Sequence, residues 1–171
     1  MTVFLAFVLN IFATHPAFLY APTSTNVWSG VDWWPMFHHD LRHTGYSTST
    51  GPNTNNTIWT YTTEDSVASS PAVVDDKVYV GSNDKKVYCL NASTGKHIWN
   101  YTTGAYPVYF SSPAVADGKV YVGSGDYKVY CLNASTGAFI WSYTTGGWVD
   151  SSPAVVDDKV YVGSNDKKVY C

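Results

Sequence analysis

Histidine and aspartate form the densest group of metal-ligating residue types in this chain. His38, His39, Asp40 and His43 lie within six residues of one another. His39 and His43 have the i, i+4 spacing that would place two imidazoles on one face of a helix. Nothing else around them has helical periodicity, so we favour the interpretation without a metal site.

The three cysteines could in principle serve redox or metal chemistry. Cys89, Cys131 and Cys171 are 42 and 40 residues apart, which is not the close spacing of a zinc or redox motif. Equivalent positions in successive repeats would also lie too far apart for a disulfide, which needs Cα atoms within about 7 Å. We therefore predict that all three are small, buried packing residues.

Carboxylate and nucleophile chemistry has little support in the sequence. Glu64 is the only glutamate, and the repeated aspartates stand where turn geometry explains them. The calcium-loop, nucleophile-elbow, phosphate-loop and zinc-protease motifs are all missing from the sequence. We predict no catalytic residue, no metal ligand and no bound cofactor.

The composition narrows the class of protein further. Of the 171 residues, 16% are aromatic and only 13% are charged, which excludes an intrinsically disordered chain. The formal net charge of −3 gives no basic footprint for nucleic acid or for a specific membrane lipid. Abundant Val, Tyr and Thr with little Leu and Glu favour a β-sheet protein.

The first 31 residues differ from the rest. The apolar run 3–9 continues as 11–13, and Pro16 then interrupts it, so a spanning helix of roughly 20 residues is disfavoured. A signal peptide needs an apolar core of only about 7–15 residues. No Lys or Arg precedes Arg42, and the cleavage pattern is poor, so a membrane anchor and a misassigned start remain alternatives. We interpret 1–21 as a signal peptide or apolar leader and 22–31 as a linker. This interpretation predicts an exported protein that is extracellular, on the cell surface, or periplasmic in a Gram-negative bacterium.

Internal repetition is the dominant signal in the remaining sequence. Ser-Ser-Pro begins at residues 69, 111 and 151, and residues 69–89 are identical to 151–171. Each unit divides into four short apolar segments, which in the first unit are 69–74, 77–81, 86–90 and 98–102. Short polar turns separate these segments, as in a meander of antiparallel strands. A period of about 40 residues with four strands predicts an all-β fold of propeller blades.

The repeat resembles that of the PQQ-type, quinoprotein-like β-propellers. Residues 87–95 with Trp99 read Val-Tyr-Cys-Leu-Asn-Ala-Ser-Thr-Gly before the tryptophan, which is similar to the tryptophan-docking motif of that family. The motif recurs over 129–141 and begins again at 169–171, with Cys for the usual Ala and Asn for the usual Asp. Residues 32–40 resemble the family's lead-in, which packs across the propeller.

The resemblance implies a division of residues 32–171 and a structural role for particular residues. The expected parts are a lead-in and outer strand (32–63), two blades (66–103 and 108–145) and an incomplete blade (149–171). An indole against the next blade would bury roughly 200 Å², and the tight Thr-Gly turn before the tryptophan would deliver it. The residues expected to dock blades in this way are Trp59, Trp99, Trp141, Gly95 and Gly137.

The number of blades is lower than a closed propeller requires. Closed propellers have roughly 4–8 blades, and this chain supplies about three. We expect a fragment of a longer repeat protein. The alternative is a homo-oligomer in which the outer strand 58–62 of one copy completes the last blade of another. Further blades or a protein partner are therefore the expected partners.

Quinoprotein dehydrogenases of the family bind PQQ above a Ca²⁺ ion, with an Asp base and often a disulfide of adjacent cysteines. This chain has no adjacent cysteines and one glutamate. PQQ and Ca²⁺ are thus expected from resemblance alone. A remnant or subunit of such a dehydrogenase is the alternative to a protein without catalytic activity.

The connectors between blades are the segments that differ among otherwise similar repeats. They are residues 64–68, 104–110 and 146–150, and all three are expected at one end of the propeller. Variable loops on a rigid scaffold commonly bind partners, although these could merely plug the channel mouth. We predict a non-catalytic scaffold for protein or ligand interaction, with simple structural repetition as a further alternative. Its candidate surface is Asp65, Tyr106, Tyr109, Phe110, Trp148 and Asp150.

Overall fold

The computed structural model describes residues 32–40 and 46–171. Within these ranges the regular secondary structure consists of β-strands joined by turns. No helix among the described residues is long and apolar enough to cross a membrane. The eleven strands are β1 Ala72–Val74, β2 Lys77–Gly81, β3 Lys86–Asn91, β4 His97–Thr102, β5 Ala114–Ala116, β6 Lys119–Gly123, β7 Lys128–Asn133, β8 Phe139–Thr144, β9 Ala154–Val156, β10 Lys159–Ser164 and β11 Lys168–Tyr170.

The strands form three antiparallel meanders. Sheet 1 has the order β1-β2-β3-β4, sheet 2 has β5-β6-β7-β8, and sheet 3 has β9-β10-β11. The first strands of successive sheets contact one another, β1 with β5 and β5 with β9. The predicted all-β fold of meandering blades is confirmed.

Local chemistry explains the hairpins between first and second strands. Asp75 and Asp76 have φ of 50° and 56°, and Asp117 and Gly118 have 48° and 68°. Positive φ at both turn positions characterises the type I′ hairpin, which Asp and Gly favour. The turn prediction made from these residues is confirmed.

Two predicted strands differ from the structure. The segment 58–62 forms no strand, because none of the described residues pairs with its backbone. The first strand of sheet 1 begins at Ala72 instead of Ser69. Pro71 has no N–H to donate, and the Ser69 hydroxyl makes the bonds to Gly81 that a strand backbone would otherwise make, accepting from its N–H at 2.8 Å and donating to its carbonyl at 3.0 Å.

Tryptophan side chains join sheet 1 to its neighbours. The Trp99 indole Nε1–H of sheet 1 donates to the Ala134 carbonyl of sheet 2 at 3.0 Å, and only 7% of Trp99 is exposed. Trp59 makes the equivalent bond to the Ala92 carbonyl of sheet 1 at 2.8 Å. Each ring lies against the Thr-Gly turn of the sheet it contacts.

Trp141 has a different environment from the other two tryptophans. Its ring lies 5.9 Å from Tyr121, as Trp99 lies from Tyr79, yet 37% of it is exposed. Trp59 and Trp99 each lie against the Asn-to-Gly turn of the following sheet. Among the described residues, sheet 3 has no such turn to contact the Trp141 indole.

A tyrosine–aspartate pair makes a second contact between sheets. In sheet 2 the Tyr130 hydroxyl donates to the Asp126 carboxylate, which also accepts the Gly104 N–H from the connector after sheet 1 at 3.0 Å. Sheets 1 and 3 repeat this arrangement around Asp84 and Asp166. The aspartate therefore ties each connector to the following sheet.

The second serine of each Ser-Ser-Pro links neighbouring sheets at their inner edge. The Ser70 N–H donates to the Ser112 hydroxyl at 2.9 Å, and the Ser112 N–H donates to the Ser152 hydroxyl at 3.0 Å. Pro113 and Pro153 follow these serines and are buried. The repeated tripeptide thus connects the sheets directly before the first strand of each one.

We predict that Gly137→Ala destabilises the fold more than Gly118→Ala. Both glycines have positive φ, 72° and 68°, so each substitution carries a backbone cost of about 1–2 kcal/mol. A methyl group at Gly137 would come within 2.6 Å of the Trp99 ring, whereas nothing lies within 4 Å of one at Gly118. The clash adds about 1–3 kcal/mol at Gly137 alone.

The measurement is the free energy of unfolding from urea titration of both variants. Equal losses of stability would show that the Trp99 ring does not press on the turn.

Candidate interaction surface

The connectors before the first strand of each sheet lie at one end of the molecule. In an antiparallel meander, the turn between second and third strands is at the same end as the chain leaving the fourth strand. Residues 103–113 and 145–153 therefore lie beside the turns 82–85, 124–127 and 165–167.

A buried valine anchors each of the two longer connectors. Val108 and Val149 are fully buried, and each fits against the bare Cα of a glycine, Gly81 and Gly123 respectively. A methyl group on either glycine would come within 2.6 Å of its valine. The connectors are thus held by packing as well as by their backbone.

Main-chain hydrogen bonds fix the same connectors to the next turn. Gly125 N–H donates to the Pro107 carbonyl at 2.9 Å, and Asn165 N–H donates to the Trp148 carbonyl at 2.8 Å. Each bond joins a connector to the turn of the sheet that follows it. Side chains on these connectors consequently project from a rigid backbone.

Aromatic side chains on the connectors are brought together between sheets 2 and 3. The Tyr109 ring lies 6.1 Å from Trp148 and 6.2 Å from Phe110. Phe110 is 64% exposed, and Tyr106 and Trp148 are nearly half exposed. Exposed aromatic residues in such a group are typical of interaction sites.

Tyr127 belongs to the same surface, although it lies on a turn and not on a connector. It occupies the turn position that holds Lys85 and Lys167 in the other sheets, with positive φ at all three. With Gly147, Trp148 and Asn165 it lines a shallow depression of about 290 Å³. A comparison of turns between repeats would have revealed it. We call Tyr106, Tyr109, Phe110, Tyr127 and Trp148 the aromatic patch.

The two acidic residues of the candidate surface lie in different places. Asp150 accepts a hydrogen bond from the Asn165 side-chain amide at 3.0 Å, which places it beside the depression. Asp65 contacts its own connector and Ser82 of sheet 1. The structure therefore brings Asp150 to the aromatic patch and places Asp65 at the other end of the row of sheets.

The histidine group of the lead-in joins two chain segments. His39 Nε2 lies 2.8 Å from Asp32 Oδ1, and the same carboxylate accepts bonds from Ser47, Thr48 and Ser49. The Ser47 hydroxyl, followed by His39 and the Thr48 amide, holds the pKa of Asp32 far below its usual value. His43 lies outside the described residues.

The lead-in also crosses the inner edges of sheets 1 and 2. Trp34 exchanges two backbone hydrogen bonds with Val73, and the Pro35 carbonyl accepts from Val115 N–H at 2.7 Å. Met36 is buried beside Ala114 and Val155. The lead-in thus covers strand edges that would otherwise be open.

The inner edge offers a donor set that does not fit a calcium-held quinone. A cavity of about 580 Å³ there is lined by Trp34, Phe37, His38, Ser70, Pro71 and Val73, without a carboxylate or amide side chain. Ca²⁺ takes six to eight oxygen ligands, most from carboxylates and amides. Over residues 32–40 and 46–171, no three His, Cys, Asp or Glu side chains are grouped to hold a metal ion.

Two of the three cysteines are buried as predicted, and one is not. Cys89 and Cys131 are inaccessible, and burial raises the pKa of Cys89 to about 11 and raises that of Cys131 as well. Cys171 is exposed, so the prediction is wrong there. The reason is that β4 and β8 cover the first two, whereas no described strand covers β11.

Three radially stacked antiparallel meanders with a repeated inter-sheet tryptophan define part of a β-propeller of the PQQ-like repeat class. The chain matches, over residues 45–109 and 108–171, the family described as outer membrane protein assembly factor BamB. These matches include most of the sequence, and the chain belongs to this family.

Solved structures agree with that assignment. BamB from Moraxella catarrhalis superposes with a TM-score of 0.59 at 26% identity, covering 66% of this chain and 35% of that one. Quinohemoprotein alcohol dehydrogenase from Comamonas testosteroni gives 0.67 at 27% identity, covering 78% and 23%. A europium-containing methanol dehydrogenase gives 0.65 at 25% identity, covering 78% and 28%. The chain thus spans about a quarter to a third of the length of these proteins. No curated protein is similar enough to count as a relative.

We predict that a Cys171→Ser variant has no thiol that reacts quickly with Ellman's reagent in the native state. Cys89 and Cys131 are inaccessible, and their raised pKa values keep them protonated at pH 8. Both thiols should react after denaturation in urea. Rapid reaction of either thiol in the folded variant would contradict the burial of the third strands.

Proposed function

We propose that this protein is a non-catalytic β-propeller scaffold that binds a protein partner through the aromatic patch. The observation that carries the proposal is the position of the patch. Its five members lie on segments where the repeats differ, while the strands beneath them are nearly identical. Non-repeated aromatic residues on a repeated frame are suited to selective contact.

The rigidity of the connectors supports this role. Binding costs less free energy when side chains and loops are already ordered. Val108 and Val149 fix the connectors beneath Tyr109 and Trp148, so little ordering remains for the bound state. Tyrosine and tryptophan also have few rotatable bonds and large contact areas.

The comparisons support a protein partner and an exported location. The matching family is described as an outer membrane assembly factor, and an assembly factor works by contacting other proteins. We propose by extension that this chain is exported and acts at the cell surface or outside the cell. The leader and linker interpreted from residues 1–31 lie outside the described residues.

A quinone-dependent dehydrogenase is the second candidate. Alcohol and methanol dehydrogenases are among the solved structures that cover 78% of this chain. The ligand chemistry of the inner edge does not favour it, since no carboxylate or amide side chain lines the cavity there.

We predict that Phe110→Ala with Trp148→Ala weakens partner binding by more than about tenfold. Truncating an aromatic residue that is a hot spot of an interface costs about 2 kcal/mol or more. Partners would be captured from the native host by crosslinking to the full chain, and the dissociation constant measured with the purified partner. Phe139→Ala is the matched control, since Phe139 is 52% exposed on β8 and away from the connectors.

Unchanged capture of every partner by the double variant would remove the patch from the proposal. If no partner is captured by the wild type either, simple structural repetition becomes the better interpretation.

We predict that PQQ and Ca²⁺ produce no dye-linked alcohol oxidation with this protein. The measurement is the quinone absorbance after gel filtration together with the rate of dye reduction. Stoichiometric quinone binding with turnover would contradict the scaffold proposal and favour the dehydrogenase.

A further inference from the structure

The segment 58–62 packs against sheet 1 as the fourth strand of a preceding sheet would, but it is not part of any sheet. Tyr61 lies 5.6 Å from Tyr88 of sheet 1, as Tyr101 of β4 lies 5.8 Å from Tyr130 of sheet 2. The Trp59 bond to sheet 1 likewise repeats the Trp99 bond to sheet 2. The side chains of 58–62 therefore pack as those of β4 do, while its backbone has no neighbouring strand among the described residues.

Sheet 3 presents the complementary edge at the other end of the row. Val169 of β11 is 79% exposed, whereas Val87 and Val129 at the same position in sheets 1 and 2 are 0% and 3% exposed. β11 has the same sequence as the part of β3 that pairs with β4, because residues 151–171 repeat residues 69–89. The free edge of β11 therefore carries the residues that pair with a strand like β4.

The two surfaces match residue by residue. Lys86 pairs with Thr102 and Val87 with Tyr101 in sheet 1. The same register would place Lys168 opposite Thr62 and Val169 opposite Tyr61. It would also place Cys171 opposite Trp59, as Cys89 lies opposite Trp99 in sheet 1.

We propose that two copies of this chain associate by strand addition, with 58–62 of one copy pairing with β11 of the other. Exposed strand edges are templates for such pairing. The segment 58–62 already makes with sheet 1 the same contact by which β4 joins sheet 1 to sheet 2, so a strand pairing with β11 would continue the row of sheets. Two reciprocal contacts make a ring of six sheets, within the range of about 4–8 blades for closed propellers.

Disulfide trapping between two different variants tests the register directly. Full-length chains carrying Thr62→Cys or Lys168→Cys, each with Cys171→Ser, are mixed and oxidised mildly. We expect a covalent heterodimer on a non-reducing gel. Mixing Thr62→Cys with Lys159→Cys, on the same sheet but off the edge, should give none.

An intramolecular pair provides the positive control. Lys86→Cys with Thr102→Cys in one chain has the same register within sheet 1 and should form a disulfide. If that pair forms while the mixture yields no heterodimer, the proposal is overturned. A heterodimer with Lys159→Cys as abundant as that with Lys168→Cys overturns it too.

Light scattering on a sizing column gives an independent measurement. The wild-type chain should elute with twice the mass of one chain. Val169→Asp should weaken association by more than about tenfold, because pairing would bury the new carboxylate. Ile140→Asp on β8, 42% exposed in an already paired strand, is the matched control and should leave the mass unchanged.

Circular dichroism of Val169→Asp shows whether the fold is retained. A wild-type chain that stays monomeric at high concentration contradicts the proposal. A dimer of unchanged strength in a folded Val169→Asp variant contradicts it as well, and would indicate another occupant of the edge, such as residues outside the described ranges.

Discussion

The packing of a tryptophan indole on the turn of the next sheet is the contact on which the rest of this structure depends. A four-stranded meander of short strands cannot bury both its faces alone. Trp99 closes the space between sheets 1 and 2, where it joins a continuous buried cluster with Tyr79 and Leu132. The indole also needs an acceptor for its N–H, and the Ala134 carbonyl supplies it. Glycine at 137 follows from this, because any side chain there would displace the ring.

Once the sheets are joined in this way, the connectors are free to differ in sequence. The valine of each long connector and the aspartate of the following turn preserve the join. The connector backbone keeps its hydrogen bond to the next turn, while the side chains of Tyr106, Phe110 and Trp148 are not repeated from one connector to another. Aromatic residues are concentrated there between sheets 2 and 3, so this surface and not the strands is the candidate for function.

The sequence predicted features that local chemistry and the repeat period determine. The 40-residue period gave the meanders, and Asp-Asp or Asp-Gly between apolar runs gave the hairpins. Features that depend on pairing with distant segments could not be predicted. Cys171 is exposed although Cys89, in an identical stretch of sequence, is buried. The difference lies in whether a neighbouring strand is present, and the same is true of the missing strand at 58–62. The serine links between sheets and the crossing of the lead-in are likewise contacts between residues far apart in the chain. Tyr127 is a different case, since aligning the turns of the three repeats would have singled it out.

Hydrogen exchange of the indole N–H groups, followed by NMR, tests the central role of the tryptophans most directly. The Trp99 N–H should exchange only when the sheets separate, because it is bonded to Ala134 and buried. The Trp148 N–H, on a ring that is 42% exposed, should exchange orders of magnitude faster. Comparable rates for the two groups in the native protein would contradict the claim that the indole joins one sheet to the next.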